Sequence, residues 1–114
     1  MERKIYDTSV IISLWRSNVR RLNAYTTIFS VIEFPKTLLI EGLTVLYPTR
    51  DDFNEAILIA KDLLKAGKPV GAIDIVIASI ALRKGLTIIT SDQDFQKVKD
   101  CLLYTSDAAD DGES

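Results

Sequence analysis

Histidine is absent from this sequence of 114 residues, and cysteine occurs once, at Cys101. The first absence excludes a Ser-His-Asp or Cys-His catalytic apparatus, an imidazole base and a histidine-ligated zinc. The second excludes an internal disulfide and any site built from several thiolates. A glycine-rich phosphate loop is missing too. Long apolar runs are scarce: Val10-Ile11-Ile12 and Ile75-Val76-Ile77 are far shorter than the roughly 20 residues that cross a bilayer. The opening Met1-Glu2-Arg3-Lys4-Ile5 is charged and precedes no apolar stretch with a small-residue cleavage site, so the expected location is the cytoplasm. What remains for chemistry is the carboxylate, a hard oxygen ligand that selects Mg²⁺ or Mn²⁺ over softer metals.

Formal net charge is −2, which argues at first against a polyanionic partner. The charge is unevenly placed. Residues 101–114 carry four acids (Asp107, Asp110, Asp111, Glu113) and no base, which leaves fourteen bases against twelve acids in residues 1–100. That mildly basic balance permits RNA binding without demanding it.

Short β-branched runs alternate with amphipathic stretches, the pattern of successive βαβ units on a parallel sheet. Lys4-Ile5-Tyr6 is the first expected strand. A helix should follow over 9–19, with Val10, Ile11, Leu14 and Trp15 as its buried stripe. A second strand is expected over 24–29, and Ser30-Val31-Ile32-Glu33 then opens a helix in S-x-x-E form, distorted early by Pro35. Gly42 should stop that helix, and Thr44 to Tyr47 should form the third strand. Thr49 or Asp51 caps a helix to Ala66, with Phe53, Ala56, Ile57, Ala60, Leu63 and Leu64 as its core face. A helix over 72–84, stopped by Gly85, is apolar nearly all round and should be the most buried. The fourth strand spans 86–90, a short helix 94–100, and Leu102-Leu103-Tyr104 could form a remnant fifth strand. The expectation is one α/β domain over residues 1–104, followed by a disordered acidic tail over 105–114. Thr105-Ser106-Asp107-Ala108-Ala109-Asp110 resembles translated adaptor sequence, so the tail is expected to be non-native and the natural chain to continue past about Asp100.

Open parallel sheets form sites at the carboxyl ends of their strands. Asp7 directly follows the first strand, Asp92 and Asp94 follow the fourth, and Glu33 and Asp74 stand near the starts of flanking helices. Each has a plainer use: Asp7 and Asp74 as helix caps, Glu33 in a capping box, Asp92 and Asp94 as turn residues. Asp74 resists that explanation best, because it sits among Ala72, Ile73, Ile75, Val76, Ile77 and Ala78, where an unpaired carboxylate is costly. Gathered on one rim, these acids would repel one another unless a divalent cation joined them. Such an ion also polarises phosphates and activates water.

Asp7-Thr8-Ser9, Ser30-x-x-Glu33, Asp74-x-x-Ile77-Ala78-x-x-Ala81 and Thr90-Ser91-Asp92-Gln93-Asp94-Phe95 occur in the order and context of the PIN-domain nucleases. The resemblance spans residues 3–100 and is closest to the VapC-type toxins of bacterial and archaeal toxin–antitoxin pairs. It implies a three-layer α/β/α fold with a mostly parallel sheet of four to five strands. It also implies a Mg²⁺- or Mn²⁺-dependent endoribonuclease. Asp7, Glu33, Asp74 and Asp92 match the family's acidic quartet, Asp94 an accessory ligand, and Thr8 and Ser91 fall beside the site. Arg16, Arg20, Arg21, Lys36 and Lys68 are candidates for RNA phosphates, each with an equal claim to be solvated surface charge. The alternatives within the resemblance are an RNA-processing nuclease without an antitoxin and a non-catalytic PIN interaction module. A receiver-like phosphotransfer domain fits worse, since no lysine follows the fourth strand in the expected role. Leu14, Trp15, Phe34, Leu38, Leu39 and Ile40 offer more apolar surface than a small sheet needs, so a homodimer or antitoxin interface is expected there.

Overall fold

The structure, a computed structural model, describes residues 3–100. The expected fifth strand at Leu102-Leu103-Tyr104 and the tail beyond it lie outside the described residues. Strand β1 (Lys4–Tyr6) leads to helix α1 (Thr8–Arg16), strand β2 (Arg21–Thr27), helix α2 (Ile28–Glu33) and a 3₁₀ turn (Pro35–Leu39). Strand β3 (Glu41–Leu46), helix α3 (Arg50–Lys65), helix α4 (Ala72–Lys84) and strand β4 (Thr87–Ile89) follow. A last helix, α5, covers 94–100. The sheet is wholly parallel in the order β3-β2-β1-β4. The first two crossovers run one way across the sheet and the β3-to-β4 crossover runs back. Right-handed connections then put α1 and α2 on one face and α3 and α4 on the other. The result is the three-layer α/β/α fold.

The core concentrates under α3 and α4. Ile5 of β1 packs with Ala56, Ile59 and Leu63 of α3, with the continuous buried run Ile75–Ala81 of α4, and with Leu86, Phe95 and Val98. Helix α4 has the expected bounds, and Gly85 ends it with a left-handed φ of 66° that costs glycine little. Thr49 caps α3 through a complete capping box with Asp52, whose buried carboxylate also accepts from Arg83 Nε at 3.0 Å.

Several boundaries differ from expectation. Helix α1 stops at Arg16 rather than 19, and of its expected stripe only Ile11 is fully buried. Strand β2 begins and ends earlier, because Ile28 and Phe29, though good strand formers, open α2 instead. Ser30 is therefore inside α2, Thr27 stands at its start, and no S-x-x-E capping box forms. Pro35 begins a separate 3₁₀ turn, where its missing N–H is no loss. Gly42 stops nothing: it lies within β3 at φ 92°, opposite an irregularity in β2, and a Cβ there would come within 2.9 Å of the Leu22 carbonyl oxygen. On α3 the buried stripe is Asp52, Ala56, Ile59 and Leu63, whereas Phe53, Ile57 and Leu64 of the expected face are exposed. Ile40 belongs to the buried interior, leaving Ile32, Leu38 and Leu39 as the exposed apolar side chains of that segment.

Candidate metal centre

The chain runs from β1 outward to β3 and then returns to the other side of β1. The strand order thus reverses between β1 and β4, and a crevice at such a switch point opens at the strands' carboxyl ends. Tyr6 pairs with Ile89 at that end. One residue further, β1 delivers Asp7 and β4 delivers Thr90, followed by Ser91 and Asp92. The amino end of α4 brings Asp74 to the same rim, and α2 brings Glu33 from beyond β2.

Asp7 is buried and tightly held. Its Oδ1 accepts from the Val10 amide at 3.1 Å, which caps α1, and from Ser9 Oγ at 2.9 Å; its Oδ2 accepts from Thr90 Oγ1. Capping and site membership are therefore not alternatives for this residue. Ser9 Oγ also lies 2.8 Å from Ser91 Oγ, a hydroxyl pair linking the ends of β1 and β4. Thr8 Oγ1 donates to Glu33 Oε1 at 2.6 Å and contacts the fully buried Ser30 Oγ at 3.0 Å. Glu33, the last residue of α2, thus reaches toward α1 instead of capping its own helix.

The tightest convergence is among Asp74, Asp92 and Asp94, whose contributing carboxylate oxygens all lie within 4.8 Å of one another. Asp92 accepts from the Asp94 amide at 2.9 Å, and its own amide donates to Thr90 Oγ1 at 2.9 Å, so one turn fixes both acids. Lys97 Nζ, one turn further along α5, is 3.2 Å from Asp94 and offsets part of its charge. Asp74 is half-buried, and among the described residues no such cation accompanies it. Burial first, then the charges of Asp92, Asp94, Asp7 and Glu33, raise its pKa from 3.8 to about 6. Four other acids therefore act on this one carboxyl group. Hard oxygen donors crowded to this degree suit a divalent cation, which would turn their mutual repulsion into ligation.

Asp94, expected only as an accessory ligand, stands inside the tight trio, whereas Asp7 and Glu33 stand at its margin. Thr8 and Ser91 lie at the rim. Thr90 and Ser30 were not among the expected site residues. Both stand within the motifs that carry the resemblance, but the contact of Thr90 with Asp7 follows from the β1–β4 register and that of Ser30 with Thr8 from tertiary packing. Of the basic candidates, Arg16, Arg20 and Lys36 line one cleft beside Trp15. Arg21 pairs with Glu41 at 3.0 Å, and Lys68 sits in the connection between α3 and α4, ahead of Asp74. Among the described residues no helix is long and apolar enough to cross a membrane.

A parallel α/β domain that brings three carboxylates within 4.8 Å of one another, with two more acids acting on Asp74, has the donor set of a divalent-cation site. The family model of the PIN domain matches residues 30–100, and the chain belongs to that family. PIN domains are in general metal-dependent nucleases. The matched span includes Glu33, Asp74, Asp92 and Asp94; Asp7 joins them through the fold. No curated protein matches the chain.

Proposed function

We propose that this protein is an endoribonuclease dependent on Mg²⁺ or Mn²⁺, and that it is the toxin of a toxin–antitoxin pair. The observation that supports the nuclease reading best is Asp74: a half-buried carboxylate, with a pKa raised to about 6, facing four other acids. Its carboxyl group does not cap α4, whose N-cap is Gly71 with no side-chain hydrogen bond, so capping does not account for it. In this reading Asp74, Asp92 and Asp94 hold the ion, and Asp7 and Glu33 at their margin act directly or through water. A divalent cation bound there supplies positive charge against a scissile phosphate and makes water more acidic.

The remaining work falls to the chain. Ser9, Thr90 and the Val10 amide hold the Asp7 carboxylate in one orientation. Thr8 aims Glu33 at the rim, and Ser30 in turn fixes the Thr8 hydroxyl. Ser9 and Ser91 join the first turn of α1 to the loop after β4. Such preorganisation matters because a displacement of about 1 Å can cost about a hundredfold in rate.

The toxin assignment rests on the resemblance of the D-T-S, D-x-x-I-A and T-S-D-Q-D-F segments to VapC-type proteins. Exposed Ile32, Leu38 and Leu39 give an antitoxin or a second copy of the chain an apolar surface. Purified protein should cleave a single-stranded RNA, lose that activity in EDTA and regain it with Mn²⁺. Expression in a growing bacterium should arrest growth. Inert RNA under all metal conditions refutes the nuclease; robust cleavage without growth arrest refutes the toxin and leaves an RNA-processing enzyme.

A further inference from the structure

Away from the acids, an open cleft of 580 Å³ lies between the end of α1 and the 3₁₀ turn. Its floor is aromatic: Trp15 and Phe34 meet edge to face, with centroids 6.3 Å apart and planes at 76°. Three cations surround it. The Arg20 guanidinium carbon lies 3.4 Å from the centroid of the Trp15 ring, Lys36 Nζ lies 5.8 Å from it, and Arg16 adjoins. Arg20 is held there by bonds from Nη1 to the carbonyls of Trp15 (2.8 Å) and Val19 (3.1 Å). The chain returns over the indole because Asn18 takes a left-handed φ of 66°, which asparagine tolerates better than most residues. Among the described residues no carboxylate pairs with Arg16, Arg20 or Lys36, whereas Arg21, Arg83 and Lys97 all have acidic partners. Two cations over the Trp15 ring, with Arg16 beside them and Phe34 at the ring's edge, form a surface that suits an anion carrying a planar group.

Two elements connect this cleft to the acidic rim. Thr8, Ile12 and Trp15 follow one another at i, i+4 and i+7, so a single stripe of α1 runs from the Glu33-bonded hydroxyl to the indole. At about 1.5 Å per residue that stripe is about 10 Å long, so the cleft lies within about two nucleotides of the rim. In parallel, Glu33 at the rim is followed directly by Phe34 and then Lys36 in the cleft. We propose that the Trp15 cleft is a nucleotide subsite for the RNA strand leading from the acidic site. Arg16, Arg20 and Lys36 take a backbone phosphate there, and the attached base packs on the Trp15–Arg20 and Phe34 surfaces. The proposal deepens the nuclease reading and rests on it. Stacking on aromatic and guanidinium planes tolerates any base, so the subsite adds affinity and register along the strand rather than sequence choice.

Trp15 is the only tryptophan, so its emission reports on this cleft alone. Unlabelled oligouridylate titrated into the full chain in EDTA should quench that emission saturably. The same titration, followed by anisotropy of a labelled oligomer, should give a matching midpoint. Arg20→Gln with Lys36→Gln should weaken binding about tenfold and reduce the salt slope by about 0.7 for each phosphate no longer neutralised. Trp15→Phe, which keeps a ring, should retain folding by circular dichroism and bind more weakly. RNA binding that leaves Trp15 emission unchanged, or wild-type affinity in the double variant, overturns the subsite. So does a cleft whose emission responds only to a protein partner. Mn²⁺-dependent cleavage is the separate readout: cleavage without quenching removes the subsite alone, and quenching without cleavage removes the nuclease reading.

Discussion

The raised pKa of Asp74 makes metal binding a proton competition with a calculable size. With a pKa of about 6, about nine-tenths of the Asp74 carboxyl groups are ionised at about pH 7 and about one-tenth at about pH 5. An ion that needs the ionised form should therefore bind about tenfold more weakly at the lower pH from this residue alone, a difference of about 1.4 kcal/mol. Calorimetric titration with Mn²⁺ in two buffers of different ionisation enthalpy measures both the affinity and the protons released. Release should be small at about pH 7 and approach one proton per ion at about pH 5. The metal-free protein should respond in the opposite sense. A folded-state pKa raised above its unfolded value of 3.8 stabilises the fold below that value, and the contribution is lost as pH rises through about 6. Mn²⁺ should thus raise the melting temperature more at about pH 7 than at about pH 5. An Mn²⁺ affinity that is flat across this range, with no proton release, refutes the placement of Asp74 among the ligands.

Other consequences are separable from that one. Thr8→Val keeps side-chain volume but removes the donor to Glu33 and strands the buried Ser30 hydroxyl; it should cost about 1–3 kcal/mol in urea unfolding and lower cleavage more than Mn²⁺ affinity. Asp52→Ala removes the α3 capping box and the Arg83 partner, and should cost about 2–4 kcal/mol in the same assay with Mn²⁺ affinity unchanged. Leu38→Glu with Leu39→Glu should leave cleavage intact and shift any dimer or antitoxin complex toward monomer in light scattering. A complex that survives both charges would place the interface elsewhere.

How much could be read from the sequence varied with how local the cause was. Helix α4 was legible to the residue because its apolar run, Lys84 and Gly85 all agree, and because nothing outside the helix had to be known. The Thr49 cap and the strand Lys4-Ile5-Tyr6 were legible for the same reason. Tertiary causes were hidden. Ser30-x-x-Glu33 satisfies the local pattern of a capping box, yet both side chains are engaged by Thr8, which for Ser30 lies 22 residues away in the chain. Helix α3 has two apolar stripes, and hydrophobicity alone favoured the one containing Phe53 and Leu64. The interior instead takes Ile59 together with Ala56 and Leu63, where α3 packs with the buried run of α4. Asp7, Asp74, Asp92 and Asp94 were legible as acids near one edge, because they follow strands or open a helix; Glu33, expected near a helix start, instead ends α2. The internal arrangement of the acids was not legible. Asp94 enters the tight trio through the Asp92 turn, and Thr90 reaches Asp7 through strand register.

The central claim is that the acidic rim binds a divalent cation and that RNA cleavage depends on it. Asp74→Asn tests this most directly, because it conserves volume and removes only the charge at the centre of the cluster. Its unfolding midpoint in EDTA should equal or exceed that of the unchanged protein, since a carboxylate strained by four neighbouring acids has been neutralised. Mn²⁺ titrated into the variant should show most of its binding lost, and RNA cleavage in Mn²⁺ should fall at least about a hundredfold. Full cleavage of RNA by Asp74→Asn, with EDTA present and contaminating ribonuclease excluded, would contradict the account.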